Sequence, residues 1–467
     1  MKKYNLGLAL LLMLGIALPA VAAEFGFHGD MNNRFLLYSN HTDWLNNEQA
    51  GVINDGKVDD TLGELKYRFW VDAATNNGNV KGVYAIEIGG VRYGEESRGG
   101  SYSGDGVSLE TRWAYTDLQL PGVESKAQLR MGLHPFKVNP FLWAETAAGV
   151  VYNGQPANAF GYQLAWMRTV DRVKRNLSPS ITDNDNLLTR FDFGISDNTK
   201  IGVFGLYSRA DTVGASGPKD VDTRNWLLKK FADQADFNIW NLGVDGGIEF
   251  DSWFINWDLI YQSGDLDNFR LNDTEFSGVD LTRDYDLSAY FLHADVGFKL
   301  GKSKVTGTVW YASGDGNPND GDLEGFLGID LDREDSITLF EGSYTDDDIY
   351  FTERDYLLDK GFVMLKLALD HQATQKFKWG LAAMYMMTAE DITYFNAAGT
   401  QQYKNDDIGI EINGYIKYMI YENVEFALNA GYLFADDAMD AFETDLIRDG
   451  SSDEDIFASS ARVRYKF

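Results

Sequence analysis

Hydrophobicity with a period of two, repeated from end to end, most narrows what this chain can become. Residues 65–73 read LKYRFWVDA, with Leu65, Tyr67, Phe69, Val71 and Ala73 set one for one against Lys66, Arg68, Trp70 and Asp72. Alternation of this kind is a strand with one apolar and one polar face. The pattern returns with Val80, Gly82, Tyr84, Ile86 and Ile88 against Lys81, Val83, Ala85 and Glu87. It returns again with Leu129, Met131 and Leu133 against Gln128, Arg130 and Gly132. Trp240, Leu242 and Val244 oppose Asn241 and Asp245, and Ile255, Trp257, Leu259 and Tyr261 oppose Asn256, Asp258 and Gln262. Near the end Ile408, Ile410 and Ile412 oppose Glu411 and Asn413, and Val424, Phe426, Leu428, Ala430 and Tyr432 oppose Glu425 and Asn429. The whole chain offers 18 such strands, the two around 149–153 and 161–167 being the weakest.

The connections carry the next constraint. Eight are short, at 76–79, 121–125, 154–158, 197–199, 251–252, 301–303, 372–375 and 421–423, and they are rich in Asn, Asp, Gly and Ser, as tight hairpins require. Nine are long, near 39–62, 92–107, 135–147, 169–186, 209–238, 263–285, 313–361, 388–406 and 435–456, and they alternate with the short ones. All tight turns therefore fall at one end of an antiparallel meander and all long loops at the other. A 16-strand count survives if 148–168 is an inserted loop. An open sheet of this size would leave two long edges exposed, which invites aggregation; closure into a cylinder removes them. Strands of about 8–12 residues suit a tilted crossing of a bilayer. A barrel this wide cannot be filled by side chains, so its polar face borders water and its apolar face meets lipid. Phe250, Trp253, Tyr261, Tyr418, Tyr432, Phe434 and Tyr465 sit towards strand ends, where interfacial girdles fall.

Composition agrees. Aromatic residues make up 14% of the chain, and 47 Gly stand against 8 Pro, which suits long ladders. There is no cysteine, so disulfides, thiol catalysis and covalently attached haem are excluded. The net charge of −30 argues against nucleic acid as a partner. Lys2 and Lys3 precede an apolar run over 6–18 and the small residues Ala20, Val21 and Ala22, the pattern of a secretory signal peptide spanning 1–23. Its removal leaves 24–467 as a single barrel domain of charge about −32, the two lysines being subtracted from −30.

The last strand, Ala461-Arg462-Val463-Arg464-Tyr465-Lys466-Phe467, alternates and closes on an aromatic residue. With the signal peptide, the absence of cysteine and the hairpin rhythm, it makes the chain resemble the porins of Gram-negative outer membranes. The resemblance covers nearly all of 24–467. It implies an all-β fold, a single transmembrane antiparallel barrel of 18 strands (16 as the fallback) with short periplasmic turns and long extracellular loops. It implies an outer-membrane location among lipid and lipopolysaccharide, assembly machinery that reads the strand ending in Phe467, and often a homotrimer. The function implied is a water-filled channel for passive diffusion of ions and small hydrophilic solutes, and not an enzyme. No short motif names a porin subfamily.

Parity places Lys66, Arg68, Arg112 and Arg130 on the lumen side of neighbouring strands, and Asp192, Asp245, Glu249, Asp258, Asp295, Glu411 and Glu425 on the lumen side elsewhere. Opposed charges around a wet constriction set ion preference. The third long connection, His134 through Glu145, resembles the inward loop that narrows porins. The eyelet expected on that basis sets Arg68, Arg112 and Arg130 against Glu145. The plainer reading pairs these charges with one another across strands.

Acidity concentrates in the loops. Residues 313–360 hold 15 Asp and Glu against Arg333, Arg354 and Lys360, and 435–455 hold nine against Arg448. Within the first, Asp315, Asn317, Asn319 and Asp322 offer oxygen ligands in the manner of a calcium loop. Asp320 stands where an EF-hand needs glycine, and no acid follows at the twelfth position; a solvated acidic loop is the competing reading. No cofactor besides such Ca²⁺ is expected. The competing functions are a barrel that sheaths or anchors a partner protein, and an outer-membrane hydrolase. Five histidines are present, and nothing in their spacing brings a serine to any of them.

Overall fold

The computed structural model describes residues 23–40, 60–94, 109–121, 126–172, 182–210, 236–270, 282–317, 319–329, 331, 333, 335–339, 360–396, 398–442, 449–452 and 455–467. The signal peptide reading, 1–23, lies outside the described residues except for Ala23. The elements are β1 (Glu24–Ser39), β2 (Asp60–Ala74), β3 (Val80–Arg92), β4 (Glu110–Gln119), β5 (Lys126–Asn139), β6 (Trp143–Ala157), β7 (Phe160–Arg172), β8 (Thr182–Ser196) and β9 (Thr199–Ala210). They continue with β10 (Asp236–Glu249), β11 (Trp253–Arg270), β12 (Thr282–Leu300), β13 (Ser303–Ala312), the two-residue β14 (Asp322–Leu323), β15 (Phe362–Gln372), β16 (Phe377–Phe395), β17 (Gln402–Tyr421), β18 (Val424–Ala435) and β19 (Ile456–Lys466). Apart from β14, each strand pairs antiparallel with its sequence neighbours, and β19 closes on β1 from Asp30↔Lys466 to Ser39↔Phe457. The result is a closed 18-strand barrel. Reciprocal backbone hydrogen bonds of 3.0 Å between Gly29 and Phe467 seal the seam at the chain ends. The two weakest sequence strands are β6 and β7, which removes the 16-strand count.

The strands run from 10 to 20 residues, longer than the expected 8–12, because several ladders continue past the span on the loop side. The connection expected at 388–406 shrinks to 396–401 for that reason. That expected at 135–147 is reduced to three residues, since β5 and β6 stay paired as far as Asn139↔Trp143. One parity expectation also fails. Ile408, set with Ile410 and Ile412 on the lipid side, is fully buried inside. A bulge between Met386↔Gly409 and Met387↔Asp407 inserts a residue, and Gly409, at φ 128°, supplies the backbone conformation it needs.

Outward faces carry Phe25, Phe27, Leu37, Leu242, Leu259, Tyr290, Leu367, Leu381, Ile410 and Ile412, all exposed. No helix among the described residues is long and apolar enough to cross a membrane. The packed core lies inside the cylinder. The segment after β13 turns inward, β14 running parallel to β12, and buries Leu323, Phe326, Leu327, Ile329, Leu331 and Leu339 against β9–β18. This explains why β16 alternates poorly in sequence. Its inward Ala382, Met384 and Met386 meet that segment while outward Leu381 stays exposed, so both faces are apolar. Each large side chain buried there contributes roughly 1.5–3 kcal/mol.

Candidate functional site

The lumen has a filled side and a charged side. The filled side is a bridge built from two parts. The β5–β6 turn, Pro140-Phe141-Leu142, enters the lumen rather than leaving the barrel, and Phe141 is wholly buried. Its ring lies 4.7 Å from Phe291, 4.4 Å from His293 and 5.0 Å from Trp310, with the Arg333 guanidinium 4.3 Å away. Asn139 Nδ2 donates to Asp258 Oδ1 at 2.6 Å, and Arg190 donates to Val138 O at 3.3 Å. The second part is the segment after β13, joined to the first where Ile329 N donates to Leu142 O at 2.8 Å.

Polar side chains of the wall hold this bridge. Gln262 donates to Leu327 O and accepts from Leu327 N, both at 2.8 Å, replacing the partners a strand edge would have supplied. Glu411 accepts from Ile337 N at 2.9 Å, Thr338 N at 3.3 Å and Asn413 Nδ2 at 2.6 Å, and from the hydroxyls of Ser336 and Thr338. Lys366 donates to Asp335 O at 2.8 Å, and Arg333 pairs with the same aspartate. Burial pushes the Asp335 carboxyl up, but Arg333 and Lys366 outweigh it and hold the group at about 2.

The charged side is the inner face of β1–β6, β19 and the short-turn end of β18, a mesh of ion pairs in which Arg34, Glu64, Lys66, Glu87, Asp117 and Arg462 are buried and Arg68, Arg112, Arg130 and Glu145 are half-buried. Arg68 pairs with Glu87, and Lys66 reaches the same carboxylate at 3.4 Å. Arg112 lies 3.0 Å from Glu145, and Arg130 makes two bonds to Asp117 at 2.7 and 2.9 Å. Arg34 pairs with Glu64, Arg462 with Glu425 and Arg464 with Asp30. The expected eyelet thus comes together only in part. Arg112 meets Glu145, two strands along the wall, whereas Arg68 and Arg130 take carboxylates on adjacent strands. The register decides this, placing Arg68 opposite Glu87 and Arg130 opposite Asp117.

The remaining site residues are dispersed. Asp245 is gripped by both terminal nitrogens of Arg190 at 2.7 Å. Glu249 sits at the short-turn rim with Lys299. Asp258 and Asp295 flank His293, at 2.8 Å from Nδ1 and 3.3 Å from Nε2, and Thr308 donates to Asp295 at 2.6 Å. Glu411 faces inward but lines no bore, since the bridge buries it completely. In the candidate calcium stretch, Asn317 N donates to Asp315 Oδ1 and Asn317 Nδ2 to Asp320 Oδ2, at 2.8 and 3.0 Å. Among the described residues no three His, Asp or Glu converge as a metal site. The expectation that no serine nears a histidine is corrected: Ser303 and His371 pair across β13 and β15, with Oγ 2.8 Å from Nδ1. Sequence reading missed Gln262, Arg333 and Arg190, whose roles depend on a segment returning from far along the chain. It placed Arg112 on the lumen side but missed that Trp113, the next residue, also faces inward, because a bulge between Ala85 and Ile86 leaves Arg112 without a register partner.

No protein-family model and no curated protein matches the sequence. Solved structures do match in fold. The outer membrane protein opdK from Pseudomonas aeruginosa aligns over 95% of this chain and 98% of its own, with a TM-score of 0.51 at 8% identity. A variant of OccD1 (OprD) aligns over 96% and 97%, with a TM-score of 0.52 at 12% identity. A BenF-like porin from Pseudomonas fluorescens Pf-5 aligns over 96% and 100%, with a TM-score of 0.52 at 11% identity.

Proposed function

We propose that this protein is a Gram-negative outer-membrane porin through which ions and small hydrophilic solutes diffuse passively. One observation carries the reading. Charged side chains that point away from the lipid face, Arg68, Arg112, Arg130 and Glu145, keep 22–31% of their surface accessible to solvent. A water-filled bore beside such inward groups accounts for their staying wet. The exposed apolar belt supports a lipid setting, because a continuous surface of this kind drives aggregation in water. Sharing a fold with a BenF-like porin and an outer membrane protein agrees with both points.

A sheath around a partner fits less well, since the described residues within 313–339 already occupy the β9–β18 side of the lumen. The reading assigns no chemistry: His293 directs both ring nitrogens at carboxylates. The test is reconstitution of the detergent-purified barrel in planar bilayers and in liposomes. Stepwise conductance and sugar-driven liposome swelling are expected. Free solubility without detergent, or a sealed bilayer despite inserted protein, overturns the proposal.

A further inference from the structure

Resting on the channel reading, we propose that the short-turn half of the lumen holds a binding subsite for neutral ring-shaped polyols, pyranose sugars in particular, built on Trp70 and Trp113. One register row runs His28↔Trp70↔Ala85↔Trp113 across β1–β4. Inward-facing Ala85 leaves a gap between the two tryptophans, and the indoles close over it, centroids 5.7 Å apart and edge to face. Neither indole is buried, so ring surface remains available to the bore.

Both rings are held before any solute arrives. Trp113 Nε1 donates to Thr146 Oγ1 at 3.3 Å. Trp70 stacks on His28 at 5.2 Å, and His28 Nε2 is 2.7 Å from Asp72 Oδ1. A surface fixed in this way loses little entropy when a ring settles on it. The bulge in β4 adds the polar half of the site, because it turns Arg112 inward beside Trp113 instead of leaving it to lipid.

Pairing of the rim charges selects the ligand class. Arg68–Glu87 and Arg112–Glu145 border the row on the loop side, and Lys81–Asp72 borders it on the short-turn side. With Lys66 also on Glu87, four cations meet three carboxylates, and each carboxylate is paired, so the rim offers donors and acceptors together. A pyranose uses both, its hydroxyls bonding the rim while its C–H face covers an indole. An anionic solute would have to compete with Glu87, Glu145 and Asp72 for cations already paired to them.

The experiment is single-channel recording of the purified full-length protein with maltose, glucose and, as the anionic ring control, benzoate. Ion conductance without solute tests the channel reading separately; its absence sinks that reading and this one together. With conductance present, brief current interruptions that rise with sugar concentration are expected, and the half-blocking concentration should increase about tenfold in W70A/W113A. Should the double variant not assemble, W70F and W113F are read for a smaller shift in the same direction. No sugar-dependent interruption in the wild type, an unchanged half-blocking concentration in the variants, or stronger block by benzoate than by sugar overturns the subsite.

Discussion

Replacing Glu411 by alanine should unlatch the bridge. Its carboxylate accepts five hydrogen bonds, four of them from residues 336–338, and the side chain is fully buried. Bonds to a charged group contribute about 1.5–3 kcal/mol each, but these share one acceptor pair and do not add. Removing the acceptor strands its donors in a dry site, which costs about 3–5 kcal/mol. At 1.4 kcal/mol per factor of ten, about 4 kcal/mol lowers the ratio of docked to undocked segment by roughly a thousandfold. The apolar packing of Leu327, Ile329 and Leu339 and the Gln262 clamp remain, so the barrel itself should assemble. Single-channel recording is the assay. E411A should show a larger unit conductance or frequent excursions to one, with E411Q between it and the wild type because it retains one acceptor oxygen. A barrel confirmed as folded by circular dichroism, yet with wild-type conductance and noise in E411A, refutes the idea that this carboxylate holds the constricting segment.

Phe141→Ala empties a fully buried site among Phe291, His293 and Trp310, and should cost about 3–5 kcal/mol, seen as a lower thermal transition together with a noisier channel; an unchanged transition contradicts the bridge packing. For Asp335, whose carboxyl is lowered from 3.8 to about 2, the contribution is complete above the unfolded value and lost as pH falls through the folded one. Conductance should therefore hold steady from pH 7 to about 4 and loosen towards 2, by a contribution of about 2 kcal/mol; a change centred between pH 5 and 7 assigns the latch to other groups. Replacing Arg68, Arg112 and Arg130 together by alanine leaves Glu87, Glu145 and Asp117 without those partners, so reversal potentials should move towards cations. Unaltered ion preference places these pairs away from the conducting path.

Alternation and connection length are local properties, and they were enough to specify the barrel. Residues 65–73 show their facing without help from any distant segment, because each outward side chain needs lipid and each inward one needs water or a charge. Phe467, by contrast, marked the final strand in sequence, but only register against Gly29 closed the seam. Which carboxylate each arginine takes was likewise settled by ladder register, down to bulges such as those at Arg112 and Gly409 that a periodic pattern cannot show. Tertiary structure alone decided that the β5–β6 turn and the described residues within 313–339 would meet inside the cylinder. An apolar run among many acids reads as a solvated loop until the inward apolar faces of β12, β13 and β16 offer it somewhere dry to pack. The wall is thus written residue by residue in the chain, whereas the bore depends on contacts between segments far apart in it, which no local period encodes.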